Sequence, residues 1–359
     1  KKLSFSGIFE FISPGAVLPN AEDFIKPDFV VYGYGDAAFS AEIQDASSIY
    51  DGLLSLAKAN SGKYPVGVSE ISREQKAQMM NEFKSLRLVF PKDIPFLEYC
   101  KRNGIESHPG YDSVQFISEV IISEAAPDSI FVVSGDECYR FLPDGAEEEI
   151  AGRYLAGIKS QEPIFYAAGD ILGGKNPTLL PLHFSSELER SPWKSEAQDD
   201  PGGMAKEMAV SIFGENFDFV RRISDNFGNL TYMYGYGQKT LNCSAEGSYE
   251  YRMTPSTGSD PGFYASLESA ISFVAGHGGW GDERRASGYQ LSHASVEGSG
   301  REKIYNFEFS QTAGGIRIYS EAGSAIKLRL CAGEVFYYSR RAGLASAKFS
   351  PEREIGRAH

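Results

Sequence analysis

Residues 213–252 read FGENFDFVRRISDNFGNLTYMYGYGQKTLNCSAEGSYEYR, and this stretch says most about the fold. Its first part, from Phe217 to Ile223, is expected to form a short amphipathic helix. Three short strands rich in Tyr, Thr and Leu are expected to follow, separated by glycine turns. Tyr232, Tyr234 and Tyr236 alternate, as do Tyr249 and Tyr251, so these phenols are expected to share one face of a sheet. Tyr offers rigid apolar area with a polar tip, which suits both a half-buried core and a protein interface. The five residues are therefore the candidate partner-binding surface, with core packing as the competing reading. Nowhere in the stretch do a nucleophile, a base and a metal ligand come together.

Outward from this segment, the chain breaks into regions by composition. Residues 1–158 alternate strand and helix patterns: a strand over Phe29–Tyr34, a helical stripe at Ile49, Leu53, Leu56 and Ala57, and a helix from the capping residue Ser72 towards Leu86. β-branched runs over Val114–Ile122 and Ser129–Val133 lead to a hairpin turn at Ser134-Gly135-Asp136, and a helix is expected over Glu147–Ile158. Between Gln161 and Gly203, five prolines fall among Gly, Ser and Asp, which predicts a connection with little regular structure. A helix carrying Met204, Met208 and Ile212 then precedes the tyrosine-rich meander.

After a second break at Pro255–Pro261, where Asp260 is expected to cap and Pro261 to start a helix, Phe263, Leu267, Ile271 and Val274 form one apolar stripe. The period then changes to two at Tyr305, Phe307 and Phe309 and at Ile326, Leu328 and Leu330, with Ala332-Gly333 as a tight turn. One helix on an antiparallel sheet of four or five strands is the expected assembly. The fold class is α+β and multi-domain, with helices packed on antiparallel sheets. The expected domains are 1–158, a middle domain 159–255 and a C-terminal domain 256–359.

The chain has 359 residues, 42% hydrophobic, enough for real cores, and a formal net charge of −13. That charge argues against nucleic acid as a partner, because phosphates are gathered by clustered Lys and Arg. No stretch approaches the roughly 18 apolar residues of a membrane span. Cys100, Cys138, Cys243 and Cys331 are too far apart for any CxxC pair and read as buried free thiols, with long-range disulfides as the alternative.

Motif searches yield no cofactor and no metal site. Gly276, Gly278 and Gly281 match G-x-G-x-x-G but follow a helix, whereas a dinucleotide site needs a strand first. Gly169–Asn176 resembles a P-loop, but Asn176 stands where Ser or Thr would hold magnesium. His108, His183, His277, His293 and His359 have no metal-ligand spacing, and His277 beside Trp280 reads as a packed or surface imidazole. Asp199-Asp200, and Asp225 with Glu215, cannot be placed in space from sequence, so no acid–base pair is assigned. The acidic run Glu147–Glu149 reads as a solvated helix start.

The Phe-Asp-Phe-Val-Arg-Arg-Ile segment, the Tyr-rich strand and Gly-Ser-Tyr-Glu-Tyr at 247–251 resemble the YycH/YycI regulatory proteins of Gram-positive two-component systems. YNFEFSQTAGGIRIY and AIKLRLCAGEVFYYSRRA look like that family's end module and, more loosely, a PepSY-type domain. Length favours the YycH branch. The resemblance implies a non-enzymatic, extracytoplasmic regulator tethered by an N-terminal transmembrane helix ahead of Lys1. Its implied partners are a sensor histidine kinase of the YycG/WalK type that controls the cell wall, and a paralogous YycI-like regulator. The alternatives are a peptide- or peptidoglycan-binding module and an envelope hydrolase.

Overall fold

The computed structural model describes residues 19–27, 29–35, 39–42, 46–60, 67–142, 150–156, 165–167, 179–181, 189–191, 201–280, 289–313, 316–317, 323–341 and 346–348. Glu147–Glu149, Gly169–Asn176, His183, Asp199-Asp200, Gly281 and His359 lie outside them. Among the described residues the chain is α+β, every strand pairing is antiparallel, and two compact units form, one over 25–187 and one over 188–350 with residues 1–24.

α1 (Ala21–Ile25) belongs, up to Phe24, with the second unit, and the first unit holds β1 (Phe29–Tyr34), β2 (Phe39–Glu42), α2 (Ala46–Asn60), β3 (Gly67–Ile71), α3 (Arg73–Asn81), β4 (Lys84–Pro95), α4 (Phe96–Arg102), β5 (Phe116–Ser123), β6 (Ile130–Ser134), β7 (Glu137–Leu142) and α5 (Ile150–Leu155). The strands form one sheet in the order β2-β1-β4-β5-β6-β7-β3. Two local devices are legible in the residues. Ser72 caps α3 by accepting from Gln75 N at 3.2 Å while Gln75 Oε1 accepts from Ser72 N at 2.9 Å, a reciprocal capping box that fixes the helix start; the helix ends at Asn81, earlier than the expected Leu86, which lies in β4. Gly135, at φ 62°, closes the β6–β7 hairpin. Alternation then sends Ile121, Phe131, Val133 and Cys138 to the α3 side with Met79, and Leu88, Phe90 and Val132 to the side of α2, α4 and α5. A short pair, β8 (Phe165–Ala167) with β9 (Leu179–Pro181), completes this unit.

The second unit holds β10 (Glu189–Ser191), α6 (Pro201–Phe213), β11 (Arg221–Ser224), β12 (Leu230–Tyr234), β13 (Lys239–Cys243), β14 (Tyr249–Met253), α7 (Phe263–Gly276), β15 (Tyr289–Glu297), β16 (Ile304–Ala313), β17 (Ile316–Arg317), β18 (Ile326–Cys331), β19 (Glu334–Arg340) and β20 (Ser346–Lys348). Its sheet runs β11-β12-β13-β14-β19-β18-β16-β15, with β17 on β16, and β10 pairs separately with β20. The expected boundary at 255/256 therefore falls inside one unit: β14 pairs with β19, Tyr251 opposite Tyr338, so the meander and the C-terminal strands form a single sheet larger than the four or five strands expected. α7 begins at Phe263 behind Gly262. Asp260 is no side-chain cap there; its carboxylate accepts from Gly262 N at 2.9 Å, Tyr305 Oη at 2.7 Å and Lys303 Nζ at 2.9 Å, fastening the loop to β16. Ala332 and Gly333, at φ 51° and 79°, make the expected tight turn between β18 and β19.

Candidate protein-interaction surface

Strand register decides what the five tyrosines do. Tyr232, Leu241, Tyr251, Tyr338, Leu328 and Phe307 stand opposite one another on successive strands, giving one buried row across the sheet. Leu230, Cys243, Tyr249, Arg340, Ile326 and Phe309 form the adjoining row. Helix α7 lies over them: Phe273 stacks on Tyr251 with centroids 6.0 Å apart and meets Tyr338 edge-on at 5.3 Å. Phe217 leans over Tyr232 at 6.3 Å. Burial holds all three phenols above their ordinary pKa, that of Tyr251 up to about 12. Tyr232, Tyr249 and Tyr251 are thus core residues and do not belong to a partner-binding surface, because the face they share is the one the helices cover. Tyr234 is half-buried at the end of β12, and only Tyr236 of the five is exposed.

Tyr236 has left the strand. It sits in a Gly235-Tyr236-Gly237 turn at φ 56°, a backbone region that costs a non-glycine residue about 1–2 kcal/mol. At 108% relative exposure its ring gains nothing from packing in return. A strained backbone holding an aromatic ring in solvent is a feature of sites that meet something.

The neighbouring strand has the same character. β11 is the end strand of the sheet; among the described residues it pairs with β12 alone, and all four of its residues are exposed. Phe219 (78% exposed) precedes it, Ile223 projects from it, and Phe227 (83%) follows it. Phe217 to Ile223, expected as a helix, is instead a 3₁₀ turn over Gly214–Phe219 running into this strand. The β11–β12 turn is fixed by Asp225, whose carboxylate accepts from Asn229 Nδ2 at 2.7 Å, Phe227 N at 2.8 Å and Asn229 N at 2.9 Å. Those bonds, first that from the Asn229 side chain, keep its carboxyl below the usual range. Asn229 Oδ1 also accepts from Ala245 N at 3.0 Å, tying this turn to the β13–β14 turn. Phe227 is therefore displayed by a braced loop, and the sheet edge offers a row of N–H and C=O groups that no further strand among the described residues pairs, between aromatic brackets.

The sheet face away from the helices is polar. Thr231 donates to Asn242 at 2.9 Å, Arg252 to Glu250 at 2.9 Å, Lys327 to Glu308 at 3.1 Å, and Arg329 to Asn306 at 2.9 Å and to Glu297 at 3.2 Å. These cations each have a paired anion or amide, so the centre of this face is a solvated ladder. Among the described residues no three His, Cys, Asp or Glu side chains are arranged to hold a metal ion. His277 is a packed imidazole, stacked on Phe273 at 4.1 Å. His108 Nδ1 accepts from Gly110 N at 3.1 Å, and all four cysteines are free and buried. Gly276 is the last residue of α7 and Gly278 follows it, so these glycines stand at the end of a helix, as expected.

No family model matches the chain, and no curated protein matches it. Among solved structures, the crystal structure of YycH from Bacillus subtilis is similar to it, with a TM-score of 0.53 and 14% sequence identity over 93% of this chain and 84% of that one. The chain therefore has a YycH-like α+β fold.

Proposed function

We propose that this protein is a non-enzymatic regulator that works by protein contact on the extracytoplasmic side of a membrane, held there by an N-terminal transmembrane anchor. Its partners are a sensor histidine kinase of the YycG/WalK type and a paralogous YycI-like regulator, and the contact runs through the β11 edge with Phe219, Phe227 and Tyr236. The observation that carries this reading is the fully exposed edge strand bracketed by exposed aromatic rings. The YycH-like fold supports it.

An extended segment of the partner adds as a further strand on β11, where main-chain hydrogen bonds supply affinity and the flanking rings supply specificity. Such a contact shifts the kinase's signalling equilibrium only as far as it binds one conformational state more tightly than the other. The test is a pull-down from source membranes with the anchored full-length protein and with an Ile223→Pro variant. Recovery of a histidine kinase or a paralogous regulator by the parent and its loss in the folded variant is the expected result. Equal recovery by both removes the edge from the reading, and recovery of neither partner by the parent removes the regulatory reading itself. The same edge would also accept an extended wall peptide, and saturable binding of stem peptides without any kinase recovery would favour that second reading.

A further inference from the structure

We propose that the first unit carries a binding site for a small, uncharged apolar ligand, of the size of an aromatic ring or a short branched alkyl group, in the cavity between α2, α4, α5 and the sheet. The cavity has a volume of about 140 Å³. The space is a pocket partly open to the outside, and an apolar molecule that enters it removes apolar wall surface from water. This proposal is independent of the sheet edge in the second unit.

The lining defines the ligand. It is made of aliphatic and aromatic side chains with a single thiol, and contains no Asp, Glu, Lys, Arg or His. A charged group brought in would lose its hydration with nothing to replace it. The polar corner closes on itself, because Tyr99 Oη donates to Tyr50 Oη at 2.9 Å, both rings being buried. Cys100 stays a neutral thiol, its pKa pushed up to about 12 by burial. The ring stack around the space is T-shaped: Phe90 meets Tyr50 at 5.8 Å and Tyr99 at 6.1 Å, which props the walls apart. Leu54, Ala57 and Val120 line the space yet remain half-buried, so three aliphatic side chains on facing elements have surface for an occupant to cover. A void of roughly 150 Å³ with this kind of lining accepts benzene.

The experiment is a titration of the full chain with benzene, read in methyl-resolved NMR spectra and in the thermal midpoint, with benzoate as the charged counterpart. Benzene should shift the methyls of Leu53, Leu88, Ile117, Val120 and Ile150 saturably and raise the midpoint, as any ligand specific to the folded state does. Benzoate should bind at least about tenfold more weakly, because its carboxylate finds no partner in the lining. Ala57→Phe, which fills the space from α2, should abolish the shifts. If that variant does not fold, Ala57→Leu is read instead and should weaken benzene binding at least about tenfold. Shifts that never saturate or that spread over both units overturn the proposal. So do equal binding of benzoate and benzene binding unchanged in a filled, folded variant.

Discussion

The imidazole of His277 lies 4.1 Å from the ring of Phe273 at an interplanar angle of 19°, and its Nδ1 is 2.7 Å from the Phe273 carbonyl oxygen. A carbonyl only accepts, so this contact calls for a proton on Nδ1; burial of the ring disfavours the doubly protonated form and outweighs the backbone hydrogen bonds at Phe273 and Ser211 that favour it. The pKa of His277 is accordingly below its ordinary value of 6.5.

A pH dependence follows from that relationship. The folded state keeps His277 neutral, while the unfolded chain takes up a proton as pH falls through 6.5. Stability is complete above that value, declines as pH drops below it, and stops declining once the folded-state pKa is passed. Glu308, held below its usual 4.5 although burial pushes it up, because Ser324 and Lys327 donate to it, contributes a separate loss below that value. Urea midpoints measured from pH 8 to pH 5 should show the upper decline in the parent and its absence in His277→Gln.

A second prediction separates core from interface among the tyrosines. The hydroxyl of Tyr232 is buried without a hydrogen-bond partner among the described residues, so Tyr232→Phe should be neutral or stabilising. Tyr232→Ala should cost about 3–5 kcal/mol, the range for emptying a buried aromatic site. Neither Tyr232→Phe nor Tyr251→Phe should alter partner affinity, whereas Phe227→Ala should weaken it by about 1–3 kcal/mol, roughly 5- to 150-fold in Kd, with little change in melting temperature.

Tyr236→Gly tests the strained turn. Glycine takes φ 56° without the steric penalty but gives back part of the gain in unfolded-chain entropy, so stability should rise by at most about 1 kcal/mol while binding weakens. Val at the same position should destabilise, since its branched Cβ resists that backbone most. Denaturation midpoints of the two variants check both signs.

In the first unit, Arg87 on β4 and Glu119 on β5 are diagonal neighbours, opposite Ile121 and Val89 respectively, with their charged groups 3.9 Å apart and both residues buried. Removing the guanidinium strands the buried Glu119 carboxylate, so Arg87→Met should cost about 3–5 kcal/mol, while Arg87→Met combined with Glu119→Leu should recover most of it. A double-mutant cycle by chemical denaturation measures the difference.

Much of this architecture can be read from residue order. Alternating Tyr, Phe and Leu placed β12, β14, β16 and β18, Ser72 announced the start of α3, and Ala332-Gly333 announced a hairpin. What residue order could not supply was the covered face. Tyr232, Tyr249 and Tyr251 do share a side, but whether that side meets water depends on α7 and on β14 pairing with β19, contacts made across many tens of residues. The edge strand was missed for a local reason. Phe217, Val220 and Ile223 recur every three residues and imitate a helical stripe, yet Val220 and Ile223 are β-branched and the 3₁₀ turn before them has already closed. The sharper signal was the GYG tripeptide, a bulky residue between two glycines that both take positive φ.

Arg221 and Arg222 both stand on β11. A second molecule docking edge to edge would bring like-signed guanidinium groups together, so this rim discourages self-assembly into filaments even though its backbone is open. For a protein carrying a formal charge of −13 the local sign is reversed, and the segment best suited to settle there is an extended run rich in Asp and Glu.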